Sequence, residues 1–327
     1  MDIKYIVYRQ KAEYGWVGNL ELSDHNDVLL DREISNKFLY LINRIWTSAT
    51  INQIVKIPFQ SVWFRFYIDE KRLNPDKEYI FMFEEGSRPY LIKEYLQYLR
   101  KKYYKSHIVL AALNSSFTFP QKRLYFFESQ YDFITSFDRE DCIKRGWGLY
   151  TGVYSKLKDI DFNRHFESDL LFVGEEKGRL DLLYNIYDKL TTMGLKCIFY
   201  VNKVPKEKIR PNSGFHFNEW LNYKDVVKMC CQTRCLLEIV QEGQHGATYR
   251  HGEAVAYGIK LLTNYRPIIN ERYYNPEQMK LFNTPEDIDV SYIKEDYSPS
   301  QYEYNGILAP YKRLEWLESV LVNKCAL

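Results

Sequence analysis

Short apolar runs alternate with amphipathic stretches along the chain, and this alternation predicts strands and helices in turn. Five runs in the first half predict strands, at residues 4–8, 61–68, 79–83, 107–111 and 133–136. Residues 89–103 predict the clearest helix among them, because Leu91, Tyr95, Leu96 and Leu99 fall on one face. A strand, a helix and a strand at this spacing predict a right-handed parallel crossover.

A second series of elements follows a charged segment. Residues 156–168, KLKDIDFNRHFES, interrupt the periodicity and predict the connection between two domains. Beyond them, strands are predicted at residues 169–173, 196–201, 235–240 and 260–263, and helices at 180–193, 223–231 and 310–322. The alternation of the two element types predicts an α/β fold with parallel sheets. We therefore predict two domains, residues 1–158 and 159–327.

Length and composition agree with two ordinary globular cores, since the chain has 327 residues of which 46% are hydrophobic. Its 45 basic and 43 acidic residues leave a net charge of +2, so it lacks the global positive field of a nucleic-acid binder. Any anion site must be local.

The cysteines and the first residues indicate the compartment. Six cysteines show no spacing typical of zinc sites, so we expect reduced thiols. The N-terminal residues, MDIKYIVYRQKAEYGW, lack the apolar region of a signal peptide. No apolar run approaches the ~18 residues that span a bilayer. We expect a cytoplasmic protein, and peripheral association with the cytoplasmic membrane face stays open.

The segment at residues 241–264, QEGQHGATYRHGEAVAYGIKLLTN, joins a glycine-spaced polar loop to a short helix and a strand. Gly243 favours close approach of the backbone to a ligand, and Thr248 precedes a helix start whose amides attract anions. Arg250 and Glu253 share one helix face, which lets a guanidinium meet a phosphate and a carboxylate accept ribose hydroxyls. The alternative is an ion pair on the helix surface. The predicted site residues here are Gln244, His245, Gly246, Thr248, Arg250 and Glu253.

A second segment, LLFVGEEKGRLDLL at residues 170–183, has the same character. A predicted buried strand ends at Gly174, and Lys177 and Arg179 stand where the next helix begins. Such a corner suits a diphosphate. A glycine turn with solvated charges is the alternative.

Together these segments resemble GT-B glycosyltransferases, and in detail a bacterial family of capsular, exopolysaccharide and lipopolysaccharide biosynthesis. Members carry a Gln-x-Gly-x-Thr-x-Arg-x-x-Glu-Ala run before a Lys-Leu-(Ile/Leu)-Thr-Asn strand, matched here from Gln244 to Ala254 and at residues 260–264. The Val-Gly-x-x-Lys-x-Arg pattern of their earlier loop matches residues 173–179. Many retaining GT-B enzymes hold a further glutamate where this chain has His245.

The resemblance implies two Rossmann-like αβα domains facing a central cleft, with a C-terminal helix that crosses back to the first domain. It implies a glycosyltransferase that moves a sugar from a nucleotide-sugar donor to a lipid-linked or oligosaccharide acceptor in surface polysaccharide biosynthesis. Lys177 and Arg179 would neutralise the leaving diphosphate, and the donor is a substrate, so no cofactor is expected. A catalytically silent nucleotide-sugar-binding or scaffold protein and a polyol-phosphate transferase are the alternatives.

The first half offers candidates for the catalytic base. An inverting transferase needs a carboxylate or imidazole to take the proton of the acceptor hydroxyl. Asp24 and His25 form one such cluster. Glu84 and Glu85 form another, because they follow a predicted strand and ligands of open α/β sheets bind beyond that edge. Ordinary surface-turn chemistry is the alternative for both pairs.

A glycine loop and the absence of a metal motif complete the prediction. Gly15 and Gly18 follow the first predicted strand and resemble the acceptor-side loop of the family. Asp159 and Asp161 form an Asp-x-Asp, but they fall in the charged connection rather than between apolar strands. We therefore predict a metal-independent reaction.

Overall fold

A computed structural model describes residues 2–10, 19–32, 34–48, 57–157, 160, 165–210, 215–296 and 304–325. Its contacts divide the chain into two compact units. The first combines Met1–Tyr150 with Pro310–Leu327, and the second is Thr151–Ala309.

The first unit is built on one parallel sheet. Its strands are β1 (Tyr5–Tyr8), β2 (Val28–Leu30), β3 (Ile80–Glu84), β4 (His107–Ala111), β5 (Phe133–Ser136) and β6 (Gly148–Leu149). They lie in the order β2-β1-β3-β4-β5-β6, so the direction of winding reverses between β1 and β3. The helices of this part are α1 (Lys37–Trp46), α2 (Lys93–Lys102), α3 (Gln121–Gln130) and α4 (Arg139–Arg145).

The second unit is built on another parallel sheet. Its strands are β7 (Ser168–Glu175), β8 (Cys197–Asn202), β9 (Phe215–Phe217), β10 (Thr233–Glu238), β11 (Lys260–Thr263) and β12 (Met279–Leu281). Its helices are α5 (Leu180–Thr192), α6 (Tyr223–Cys231), α7 (Tyr249–Tyr257) and α8 (Val290–Lys294). The strand order β12-β11-β10-β7-β8-β9 is that of a dinucleotide-binding Rossmann sheet. The winding reverses between β7 and β10.

The C-terminal helix α9 (Pro310–Cys325) belongs to the first unit. Tyr5 and Val7 of β1 pack on one face of the first sheet with Leu314, Leu317 and Leu321 of α9. The alternate β1 residues contribute to a separate core cluster. Because both faces of a parallel sheet are apolar, α9 supplies a layer that would otherwise be missing. The predicted α/β fold of two Rossmann-like units, with a returning C-terminal helix, is confirmed.

The strand predicted at residues 61–68 is wrong. The chain forms a 3₁₀ helix at Gln60–Phe66 instead. Trp63, Phe64 and Tyr67 are buried, whereas Val62 and Arg65 are exposed. Burial with this spacing suits helical turns, because a strand would bury alternate residues. The aromatic and β-branched composition was therefore outweighed by tertiary packing.

Candidate functional site

The carboxyl edge of the second sheet brings the two sequence motifs together. β7 and β10 are hydrogen-bonded neighbours, and the loops that follow them, residues 176–179 and 239–248, meet where the winding reverses. In open α/β sheets this position is the crevice where ligands bind. The structure thus places residues 174–179 and 241–253 at one site.

Arg179 joins the two loops. Its Nε and Nη2 donate hydrogen bonds to the carbonyl of Glu175 at 3.0 and 2.9 Å, and its Nη1 donates to the carbonyl of Ile239. Burial lowers the pKa of Arg179, and the nearby charge of Arg250 lowers it as well. The surrounding carboxylates oppose this lowering of the pKa. A guanidinium has five N–H donors, so this bonding leaves capacity for an anion. The side chain both positions the loops and adds positive charge.

Lys177 stands at the entrance of the same corner. It is exposed and has a φ of 40°, and Gly178 continues the turn with a φ of 77°. Its Nζ lies 3.7 Å from Glu175 Oε2, which leaves the ammonium at the surface. α5 begins directly afterwards, and its N-cap residue Arg179 makes no side-chain hydrogen bond to the first turn among the residues the structure describes. Uncapped amides and an exposed cation are suited to binding a phosphate.

Glu238 is central to the site, although neither sequence motif predicts it. It ends β10 and is completely buried. Its Oε1 accepts from the amide and the hydroxyl of Thr248 at 2.6 and 2.7 Å, and its Oε2 accepts from the Thr263 hydroxyl at 2.7 Å. The carboxylate therefore holds β10, the start of α7 and β11 in one arrangement. The sequence signal that could have identified Glu238 is an acidic residue at the end of an apolar run.

The loop before α7 folds as the motif predicts. Thr248 is the N-cap, and its hydroxyl accepts from the Arg250 amide at 3.2 Å, so the helix begins at Tyr249. Gln244 Nε2 donates to the carbonyl of Gly246 at 2.7 Å, which closes the loop on itself. His245 has an exposed position. These contacts fold the loop back on itself at the start of α7.

Arg250 and Glu253 form a buried pair rather than a surface pair. Arg250 Nη1 lies 2.6 Å from Glu253 Oε2, with 12% of the arginine side chain exposed and none of the glutamate. Glu253 Oε1 accepts from the Tyr223 hydroxyl at 3.0 Å, and the Cys230 thiol lies 3.6 Å from Oε2. Burial raises the pKa of Glu253, and Arg250 opposes that rise. In this conformation Glu253 offers no surface to a ribose, and Arg250 is the member of the pair that reaches solvent.

Glu84 is placed at the carboxyl edge of the first sheet, as predicted, but its carboxylate is occupied. Arg313 of α9 donates to Glu84 Oε1 at 3.0 Å, and the Asn19 amide donates to the same oxygen. The main-chain N–H of Gln10 donates to Oε2 at 3.0 Å. With Glu84 fully buried and Arg313 5% exposed, the pair ties α9 to the end of β3.

Glu85 is also engaged. Its Oε2 accepts from the amides of Leu113 and Asn114, each at 2.9 Å, and its Oε1 accepts from the Asn114 side chain at 3.1 Å. Burial raises the pKa of Glu85, while these donors oppose the rise. The carboxylate therefore connects the ends of β3 and β4.

Asp24 and His25 lie at the opposite edge of the first sheet from Glu84 and Glu85. They precede β2, and the amides of Lys4 and Tyr5, where β1 begins, donate to Asp27 beside them. The His25 ring stacks on Tyr311 of α9 at 3.8 Å. Because ligands of parallel sheets bind at the carboxyl edge, this position does not suit the base role considered for them.

Gly15 and Gly18 lie outside the described residues. Within the described ranges, no group of three His, Cys, Asp or Glu side chains has the arrangement of a metal site. The helices in those ranges include none with the length and apolar character needed to cross a bilayer.

No protein-family model and no curated protein matches the chain. Among solved structures, it is similar to an α-glucosyltransferase in complex with UDP and a 13-mer DNA, with 12% identity, a TM-score of 0.44, and coverage of 87% of this chain and 83% of that one. A UDP-forming α,α-trehalose-phosphate synthase from Burkholderia xenovorans gives 13% identity, a TM-score of 0.45 and coverage of 90% and 89%. The spinosyn rhamnosyltransferase SpnG gives 9%, 0.40, and 83% of each chain. At TM-scores below 0.5 these similarities assign no function to this chain.

Proposed function

We propose that the chain is a glycosyltransferase that transfers a sugar from a nucleotide-sugar donor to a lipid-linked or oligosaccharide acceptor in bacterial surface polysaccharide biosynthesis. The observation that supports it best is the meeting of the two motif loops at the point where the second sheet reverses its winding. Lys177, Arg179 and Arg250 give that crevice the positive charge a nucleoside diphosphate requires.

In the proposed reaction the acceptor oxygen forms a bond to the anomeric carbon, and the bond from that carbon to the phosphate oxygen breaks. The electron pair leaves with the nucleoside diphosphate, and the acceptor hydroxyl loses its proton to a base. Lys177 and the start of α5 would meet the charge that grows on the departing diphosphate. Glu253 acts as a positioning residue, because it holds Arg250 through the buried ion pair.

A panel of nucleoside diphosphates and nucleotide sugars tests the donor assignment. We expect one base to raise the thermal unfolding midpoint of the purified protein, because a ligand that binds the native state stabilises it. Release of free sugar from the matching donor should accompany binding. Absence of both stabilisation and donor hydrolysis across the panel would reject the proposal.

A catalytically silent nucleotide-sugar-binding protein is a second candidate. The observation that favours it is the occupation of both Glu84 and Glu85, since neither carboxylate offers a free oxygen as a base. Donor binding without hydrolysis or transfer to any lipid-linked or oligosaccharide acceptor would support this second candidate.

A further inference from the structure

Helix α1 carries an apolar stripe that faces solvent. Phe38, Leu41 and Ile45 are 69%, 54% and 46% exposed. At about 100° per residue they fall within one sector of roughly 60° on the helix. The neighbouring sector, with Ile42 and Trp46, packs against the core of the first unit. The core therefore fixes the helix with its second apolar sector pointing outward.

Two further exposed apolar side chains lie in the segment after the helix. Trp46 Nε1 donates to the carbonyl of Pro58 at 2.7 Å, which brings the following residues to the end of α1. Phe59 and Val62 are 75% and 51% exposed there. We call Phe38, Leu41 and Ile45 the α1 patch. Exposed apolar side chains that share one helix face mark an interaction surface.

The basic residues beside the patch indicate the partner. No Asp or Glu lies between Glu33 and Asp69 in the sequence, and the four charged residues of that span are all basic. Lys37 and Arg44 are exposed and border the stripe on the side of Leu41. An apolar sector beside lysine and arginine is the pattern of a helix that lies in the interface of an anionic bilayer.

We propose that the α1 patch docks the protein on the surface of an anionic lipid bilayer. The apolar side chains would enter the boundary between headgroups and acyl chains, and Lys37 and Arg44 would meet lipid phosphates. A second copy of the chain is a poorer partner, because a two-fold contact on this patch would bring the same basic residues together. The purpose of the docking rests on the proposed function, in which a lipid-linked acceptor is held at a membrane.

Vesicle co-sedimentation of the full chain tests the proposal. The probes are vesicles of phosphatidylcholine alone and vesicles in which phosphatidylglycerol replaces a third of it. We expect binding to the anionic vesicles, weakened by salt. Phe38→Ser with Leu41→Ser and Ile45→Ser, and separately Lys37→Glu with Arg44→Glu, should each weaken binding at least roughly tenfold.

The matched control is Tyr125→Ser with Ile143→Ser, because these side chains are 75% and 83% exposed elsewhere in the same unit. This control should bind as the wild type does, and all variants should keep the wild-type unfolding midpoint. Failure of the wild type to bind anionic vesicles, or equal losses in the control, would overturn the docking site. The proposal would also be overturned if sedimentation velocity showed the wild type to be a dimer and the triple variant to be a monomer. Donor hydrolysis in solution needs no vesicles, so failure of the proposed function would be seen separately.

Discussion

The carboxyl edges of the two parallel sheets each contain a reversal of winding, but they differ in how their charged side chains are used. At the first edge, Glu84 is buried against Arg313 of α9 and accepts further hydrogen bonds from Asn19 and Gln10. Glu85 is likewise satisfied by main-chain amides. The charges of this edge are used to join the C-terminal helix and the loops to the sheet.

At the second edge, two carboxylates are fully used, but two of the cations are not. Glu238 and Glu253 are completely buried, whereas Arg250 keeps part of its surface and Lys177 is exposed. The carboxylates shape the loops, and the cations remain available to a ligand. A reversal of winding therefore provides a crevice at the edge of a sheet. Whether that crevice binds an anion depends on which of its charged side chains already pair with other residues of the protein.

Breaking the pair at the first edge should give the largest effect. Arg313→Ala leaves Glu84 buried without its partner and should lower the free energy of unfolding by about 3–5 kcal/mol. Urea denaturation measures this. Lys312→Ala is the matched control, because Lys312 pairs with Glu315 at 2.8 Å on the exposed side of the same helix. Equal stability of the two variants would show that the first edge does not depend on its buried charges.

Removing Glu253 should affect both stability and binding at the second edge. Glu253→Ala leaves Arg250 buried without its carboxylate, so we expect a loss of stability of about 3 kcal/mol and weaker nucleotide binding.

Arg250→Ala should weaken nucleotide binding roughly tenfold to a hundredfold, since a hydrogen bond to a charged group contributes about 1.5–3 kcal/mol. Calorimetry with the donor nucleotide and urea denaturation separate the two effects. Wild-type affinity in Arg250→Ala would remove it from the donor site.

Lys177 should act on the ligand alone. Lys177→Ala should change stability by less than about 0.5 kcal/mol, because the side chain is exposed. Turnover should nevertheless fall roughly tenfold, because the ammonium would meet the charge of the leaving diphosphate. Lys203→Ala is the control, since Lys203 also pairs with Glu175, at 2.6 Å. Similar kinetics in the two variants would contradict a specific role for Lys177.

His251 should make the second unit sensitive to acid. Burial lowers the pKa of His251 below its ordinary value of 6.5, and its ring stacks on Tyr273 at 5.0 Å. Between the native pKa and pH 6.5, the unfolded chain therefore binds a proton that the native state does not bind. The stability that is present above pH 6.5 is lost as the pH falls through the native pKa. The slope is at most about 1.4 kcal/mol per pH unit. His251→Phe should flatten the dependence in urea denaturation at several pH values, and an unchanged slope would assign it to other groups.

Chelation should have the smallest effect. We expect turnover to persist in EDTA, because the basic residues of the second edge are proposed to balance the diphosphate. Turnover is measured with and without chelator, and then with added magnesium. Loss of activity that magnesium restores would show that the cations of this edge are insufficient.

Local patterns in the sequence determined the elements of the donor loop. Thr248 predicted the start of α7 because its hydroxyl caps the helix, and Gly258 ends that helix with a φ of 62°. The apolar periodicity likewise predicted α5 and α9. These features depend on neighbours within a few residues, so one stretch of sequence contains the information for each.

Only the tertiary structure decided which charged residues pair with other residues of the protein. The partners Glu84 and Arg313 are 229 positions apart, and no local pattern connects them. Strand order placed Asp24 and His25 at the amino edge of the first sheet and brought the loops after β7 and β10 together. A carboxylate in the sequence has the same chemistry wherever it occurs. Its burial and its partners depend on how distant strands and helices pack, and these determine whether it supports the fold or faces a ligand.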